Sequence, residues 1–205
     1  MATRTRDTAA LRTRRKAELL GKFLHAVERL DLQGVGFGEA SVETLIGEAG
    51  VSRATFYSYF RDKNDLLREL AESSLTEMLD LWLENLPGGA SKQQLSAAFD
   101  LIIAAYLSRR AVMVAAGESP PGSEMAREFE ALIVRSADAF ARQIRTAQAE
   151  GRVPTDIDAR TTALLLSWMC ERGLARLTPD SSPDQRDMLA ACLTEVYWRT
   201  LRGKA

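Results

Sequence analysis

At 205 residues, 46% hydrophobic and 27% charged, the chain is long enough for a sizeable core and reads as soluble and globular rather than disordered or fibrous. A net charge of −1 argues against a simple nucleic-acid coating protein, and two distant cysteines, Cys170 and Cys192, with one histidine, His25, leave no metal set, disulfide framework or expected cofactor. Residues 1–6 are basic and polar, without the apolar run of a secretion signal, and no later run approaches the ~18 residues of a membrane span, so no membrane partner and a cytoplasmic location are expected.

The charge is unevenly placed. Residues 1–30 carry eight cationic side chains, Arg14 among them, against three acidic ones, so this segment is +5 and the remainder −6. Such a basic arm can meet phosphates while the acidic remainder stays away from them; for Arg4 and Arg6, a solvated chain end is an equal reading. A first helix is predicted over about 9–32, where Leu19, Leu20, Phe23, Leu24, Val27 and Leu30 form an apolar stripe that ends at Gly34, Gly36 and Gly38. His25 lies just off that stripe with no acid or nucleophile beside it and is read as a surface residue without a role.

Ser41 caps a second helix whose Val42, Leu45, Ile46 and Ala49 recur at helical spacing. Gly50 can adopt the positive φ that ends it, Val51 plugs the turn, and Ser52 is a favoured cap for a third helix starting at Arg53. Two short helices joined by a tight glycine turn make a helix-turn-helix. Phe56 and Phe60, four apart, should face inward, leaving Arg53, Ala54, Thr55, Tyr57, Ser58 and Tyr59 outward. Arg53 is the candidate for reading a base, since a guanidinium bonds guanine bidentately; Tyr57, Tyr59 and Lys63 are candidate phosphate clamps, the tyrosines reading alternatively as edge-of-core packing.

A fourth helix is predicted from Asp62 or Lys63 through Trp82, stopped by Pro87-Gly88-Gly89. Helical patterns follow over 91–108, 123–150, 161–177 and 184–201, with a loop at 118–122. No strand-like alternation competes, so the fold class is all-α. Polar residues embedded in apolar faces, Ser136 between Ile133 and Phe140, then Ser167, Cys170 and Glu171, have the pattern of a pocket: mostly apolar with a few orienting polar groups. The last two helices also carry an apolar face beyond one protomer's need. Leu165, Met169, Arg172 and Arg176, with Leu189, Cys192, Leu193, Val196 and Thr200, suit a four-helix interface about a twofold axis, or packing within one protomer.

The stretch Ala49-Gly50-Val51-Ser52-Arg53-Ala54-Thr55-Phe56-Tyr57-Ser58-Tyr59-Phe60-Arg61-Asp62-Lys63 resembles the signature of the TetR family of bacterial transcriptional regulators. The Ser-Arg-x-Thr-Phe-Tyr wording and the region of Cys170-Glu171-Arg172 look like its EthR-type branch. Two departures are visible: Ala54 replaces a common glycine, and Asn64 stands where a glutamate often follows the lysine, which would weaken a cap on the fourth helix.

The resemblance implies a homodimer of protomers with about nine helices, each with a three-helix DNA-binding head (1–61) and a larger ligand-binding and dimerisation body (62–205). Ser41, Ser52, Arg53, Ala54, Thr55, Tyr57, Ser58, Tyr59, Lys63 and Arg14 would meet double-stranded operator DNA. Phe99, Ile102, Tyr106, Ile133, Ser136, Phe140, Ser167 and Cys170 would line the pocket, closed by Trp82 and Trp168. No arginine cluster faces them, so the effector should be bulky and largely hydrophobic, and its binding should release a repressor. Catalysis is disfavoured by the lack of a phosphate loop or a nucleophile-base set. The alternative function is a helical protein-interaction module without sequence-specific DNA binding.

Overall fold

The computed structural model describes residues 2–85, 91–178 and 182–202, with side chains omitted at 2–9 and 84–85. The side chains of Arg4 and Arg6 and the stop at Pro87-Gly88-Gly89 therefore lie outside the described residues. Those described are all-helical: α1 (Ala2–Leu32), α2 (Val42–Ala49), α3 (Arg53–Tyr59), α4 (Lys63–Asn85), α5 (Lys92–Leu107), α6 (Arg110–Gly117), α7 (Glu124–Ala149), α8 (Ala159–Leu177) and α9 (Pro183–Arg202). No helix among them is long and apolar enough to cross a membrane.

Most ends form where local chemistry predicts. The hydroxyls of Ser41, Ser52, Ser91 and Ser123 accept backbone N–H groups of Thr44, Thr55, Gln94 and Ala126, each satisfying a donor the first helical turn cannot. Gly50 adopts φ 63°, so the N–H groups of Gly50 and Val51 fold back to the carbonyls of Gly47 and Ile46. The fourth helix keeps a cap despite Asn64. Asp62 Oδ1 accepts the Asp65 N–H at 2.8 Å, and Asp65 returns a carboxylate oxygen to the Arg61 N–H at 3.1 Å.

Two elements depart from the sequence reading. The first helix begins at Ala2 rather than near residue 9. The short α6 occupies a stretch the periodicity left without bounds, because Arg109 supplies no side-chain cap and the segment is a small apolar run. Tertiary packing decides it: Ala111, Val112, Met113 and Ala116 are all buried.

One apolar core runs through the molecule. Beneath α3, Phe56 and Phe60 meet Phe23 of α1 edge-on at 5.7 and 5.8 Å, with Leu45 of α2 fully buried alongside. Beyond them, α4 packs on α5, α6 and α7, and α7 lies against α8. Ion pairs tie these layers: Arg29 of α1 to Glu48 of α2 at 2.5 Å, Lys16 of α1 to Glu69 of α4 at 2.7 Å, and Asp31 of α1 to Arg110 of α6 at 3.0 Å.

Asp65 is nearly buried. Burial pulls its carboxyl upward, but the Arg61 N–H and the Arg61 and Arg68 guanidiniums outweigh that and hold it down to about 2, against an ordinary 3.8. A depressed carboxyl contributes stability that is present above its unfolded value and lost as pH falls through its folded one; here that is about 2 kcal/mol. Asp65→Asn is expected to melt below the wild type near pH 7, with the gap closing between about pH 4 and pH 2. A gap independent of pH in paired thermal melts would rule this out.

Candidate DNA-reading head and internal cavity

The head presents a compact polar face. Arg53, Ala54, Tyr57 and Ser58 are exposed on α3, Thr55 and Tyr59 are half-buried, and Ser41 and Arg14 are exposed on the flanks. Phe56 and Phe60 face inward as the spacing predicts. Arg53, the candidate base reader, pairs through Nη1 with Glu43 Oε1 at 2.6 Å and lies over the Tyr57 ring, 5.5 Å from its centroid. Both contacts are made by an exposed guanidinium at the N-terminal end of α3. Arg12 lies over Tyr59 in the same way, at 6.0 Å, drawing the first helix toward the reading face. Arg14 pairs with Glu18 one turn on.

Lys63 stands differently from the sequence reading. Its ammonium donates to the carbonyls of Phe37, Gly38 and Ala40 at 3.2, 2.7 and 3.0 Å. Three donors are thus committed to the loop before α2, so Lys63 binds the start of α4 to the helix-turn-helix instead of offering a free charge. The signal for this was non-local, in a glycine-rich loop 23 to 26 residues upstream.

Inside the body, α4 to α9 line a cavity of about 110 Å³ that is partly open to solvent. Of the expected pocket residues, Trp82, Ile102, Tyr106, Ile133, Ser136, Phe140, Ser167 and Cys170 line it. Two do not. Phe99 is fully buried behind the wall, edge-on to Trp82 at 5.5 Å and Tyr197 at 4.8 Å, and Trp168 sits outside it beneath Arg172. Glu171, one of the polar residues embedded in an apolar face, lines it as well, and the fold adds Leu75, Met78 and Leu79 from α4, Met113 from α6, Leu174 from α8 and Tyr197 from α9. Apolar spacing alone could not separate these from ordinary core, although Glu171 was conspicuous as a charge within an apolar run.

The wall is largely inert. Burial pushes the Cys170 thiol up to about 12, so it is neutral and no nucleophile, and the Tyr197 hydroxyl, raised by burial, donates to Leu166 O at 2.7 Å. Three groups differ. Trp82 Nε1, the Tyr106 hydroxyl and both Glu171 carboxylate oxygens are buried with no hydrogen-bond partner in the protein. Burial raises the carboxyl of Glu171, and burial with the nearby Glu171 charge raises the Tyr106 hydroxyl. No group of three or more His, Cys, Asp or Glu side chains among the described residues is placed to hold a metal ion.

On the outer surface of α8, Leu165 is 67% exposed and Met169 36%, with Arg172 half-exposed alongside. On α9 the expected face is split. Cys192 and Val196 are outward, joined by Met188, whereas Leu193 is buried within the protomer and Leu189 packs against the core. A one-residue change of phase rotates a helix by about 100°, and periodicity cannot choose between two apolar faces.

Comparison with known proteins agrees with this arrangement. Residues 32–70 match the family of bacterial regulatory proteins of the TetR type, and residues 95–203, over half the chain, match the C-terminal domain of the transcriptional regulator EthR. The chain belongs to the TetR family, in its EthR-like branch. It is 27% identical to the HTH-type transcriptional regulator EthR of Mycolicibacterium smegmatis over 98% of this chain and 96% of that one. Solved TetR-fold neighbours include the fatty acid degradation regulator FadR from Bacillus halodurans, with a TM-score of 0.72 and 14% identity over 89% of this chain and 99% of that one. FadR from Bacillus subtilis, in complex with stearoyl-CoA, superposes with a TM-score of 0.70 and 13% identity over 90% and 98%. At those identities the likeness is one of fold. This TetR-family chain is a DNA-binding transcriptional regulator.

Proposed function

We propose that the protein is a cytoplasmic, homodimeric repressor released from its operator by a small, largely hydrophobic effector. The proposed division places the reading head at 1–61 and the effector-binding, dimerising body at 62–205. One observation carries this reading: α4 belongs to both ends of the molecule. Its first residue, Lys63, clamps the loop before the helix-turn-helix, while Leu75, Met78, Leu79 and Trp82, further along, wall the cavity.

A dry cavity of ~150 Å³ holds about one benzene. A bulky effector overfills the 110 Å³ found here and, beyond what the open side accommodates, presses its walls apart. Displacing α4 moves the head anchored to it, and the Asp31–Arg110 pair gives α6 a second hold on α1. In a dimer the reading helices must stand about 34–36 Å apart to reach successive half-sites, so a small rotation of each head is enough to lose register. An effector favouring the spread form by a few kcal/mol suffices.

The test is a salt-dependent gel shift on the promoter region next to the protein's own gene. Retardation that weakens steeply with salt is expected, and none at low salt would sink the reading. In the same assay Arg53→Ala should lose about 1–3 kcal/mol and relax base preference, whereas Tyr57→Phe should weaken all sequences alike. The reverse pattern would overturn the division of roles.

A further inference from the structure

The geometry points to an effector with a protonated amine at its polar end, received by Glu171 in the cavity wall. The inference rests on the effector-cavity reading above and names its ligand class.

Glu171 is 6% exposed and lines the cavity, yet neither carboxylate oxygen receives a hydrogen bond. Two arginines act on it from outside the cavity: half-exposed Arg172, whose Nε approaches Oε2 at 3.2 Å, in ion-pair range but without hydrogen-bond geometry, and Arg176, which acts through charge alone. Oε1 lies against the end of α6, so near that a side-chain carbon on Gly117 would stand 3.4 Å from it. A helix C-terminus is electronegative, so the carboxylate suffers burial and an adverse dipole together, and both are relieved by positive charge. Arg172 partly answers this from outside by donating to Gly117 O at 3.3 Å. Nothing answers it from the cavity side.

The surrounding wall suits an alkyl- or arylammonium ion. Tyr106, its hydroxyl also without a partner, lines the same cavity and can accept a second N–H. Trp82, Phe140 and Tyr197 supply aromatic surface that attracts a cation and covers a hydrocarbon body. An anionic headgroup meets the opposite: a buried negative charge and no basic residue in the cavity lining. A neutral alcohol or amide could also accept the Trp82 N–H, which an ammonium cannot, but it answers none of the charge.

Isothermal titration of the full-length protein with octylamine, 1-octanol and octanoate, near pH 7 and below micelle formation, tests this; the amine is cationic there, as lysine is. Octylamine is expected to bind about tenfold or more tighter than 1-octanol, with octanoate weakest. Glu171→Gln, nearly the same shape, is expected to remove the amine's advantage while leaving 1-octanol within about twofold. Equal binding of amine and alcohol to the wild type, or an advantage that survives Glu171→Gln, overturns the amine assignment and leaves the hydrophobic cavity standing. The wild-type comparison decides even if the variant does not fold. Should no chain compound bind, the cavity reading falls and the amine proposal with it.

Discussion

Phe56→Ala is expected to abolish operator binding and to lower the melting temperature by about 10 °C or more. The α3 helix has only seven residues, far too few to be stable alone, so its position over DNA depends on what it buries. Phe56 is fully buried, 5.7 Å from Phe23 and 5.4 Å from Phe60, and truncating such a ring leaves a cavity whose loss is about 3–5 kcal/mol. That is a large part of the roughly 5–15 kcal/mol that holds a domain together. Tyr57→Ala, one residue away with a side chain 47% exposed, should leave stability almost unchanged while weakening DNA binding. Thermal melts of both variants beside gel shifts separate packing from recognition. A Phe56→Ala protein as stable as the wild type would refute the account of how the head is held.

Leu165→Glu is expected to give a folded monomer that has lost about a thousandfold in operator affinity. Leu165, Met169, Met188 and Val196 leave apolar side chains in water on α8 and α9, more than isolated surface residues normally present. In a twofold interface each buried Leu165 would meet its counterpart's surroundings, so the substitution places two carboxylates in one apolar contact. Within the protomer Leu165 is 67% exposed, and helix content and the protomer core should be untouched. Two linked heads bind as one because the second contact becomes intramolecular, and separating them returns binding to the weak level of a single head. Sedimentation velocity with operator titration checks both halves; a variant still dimeric would place the interface elsewhere.

Arg53 shows how partial the sequence reading of the site is. Three and seven residues before Phe56 and Phe60 it shares their helical phase, and it is exposed because it stands at the open first turn of α3. Its pairing with Glu43, on the preceding helix, was not legible either. Lys63 carries the same lesson further: its residue type suits a phosphate, but the loop carbonyls of Phe37, Gly38 and Ala40 reach it first. In the body, eight of the ten expected pocket residues line the cavity: Ser136, Ser167 and Cys170 are visible in one dimension as small polar side chains on apolar stripes, and the rest came with the family resemblance. Phe99 and Trp168 are the exceptions, since an aromatic residue beside a cavity and one lining it have the same spacing.

The chain by itself determined most of its helices and the turn between α2 and α3. Serine caps, a glycine able to take φ 63° and apolar residues every three or four positions act within a few residues, so their physics is written locally. Tertiary structure alone decided where α6 forms, which face of α9 is left in water, and that Glu171 is shut away beside the end of α6 without a hydrogen-bond partner. Each of these depends on which distant helix arrives to bury a surface or to supply a hydrogen bond, and burial and polar satisfaction are properties of the packed whole.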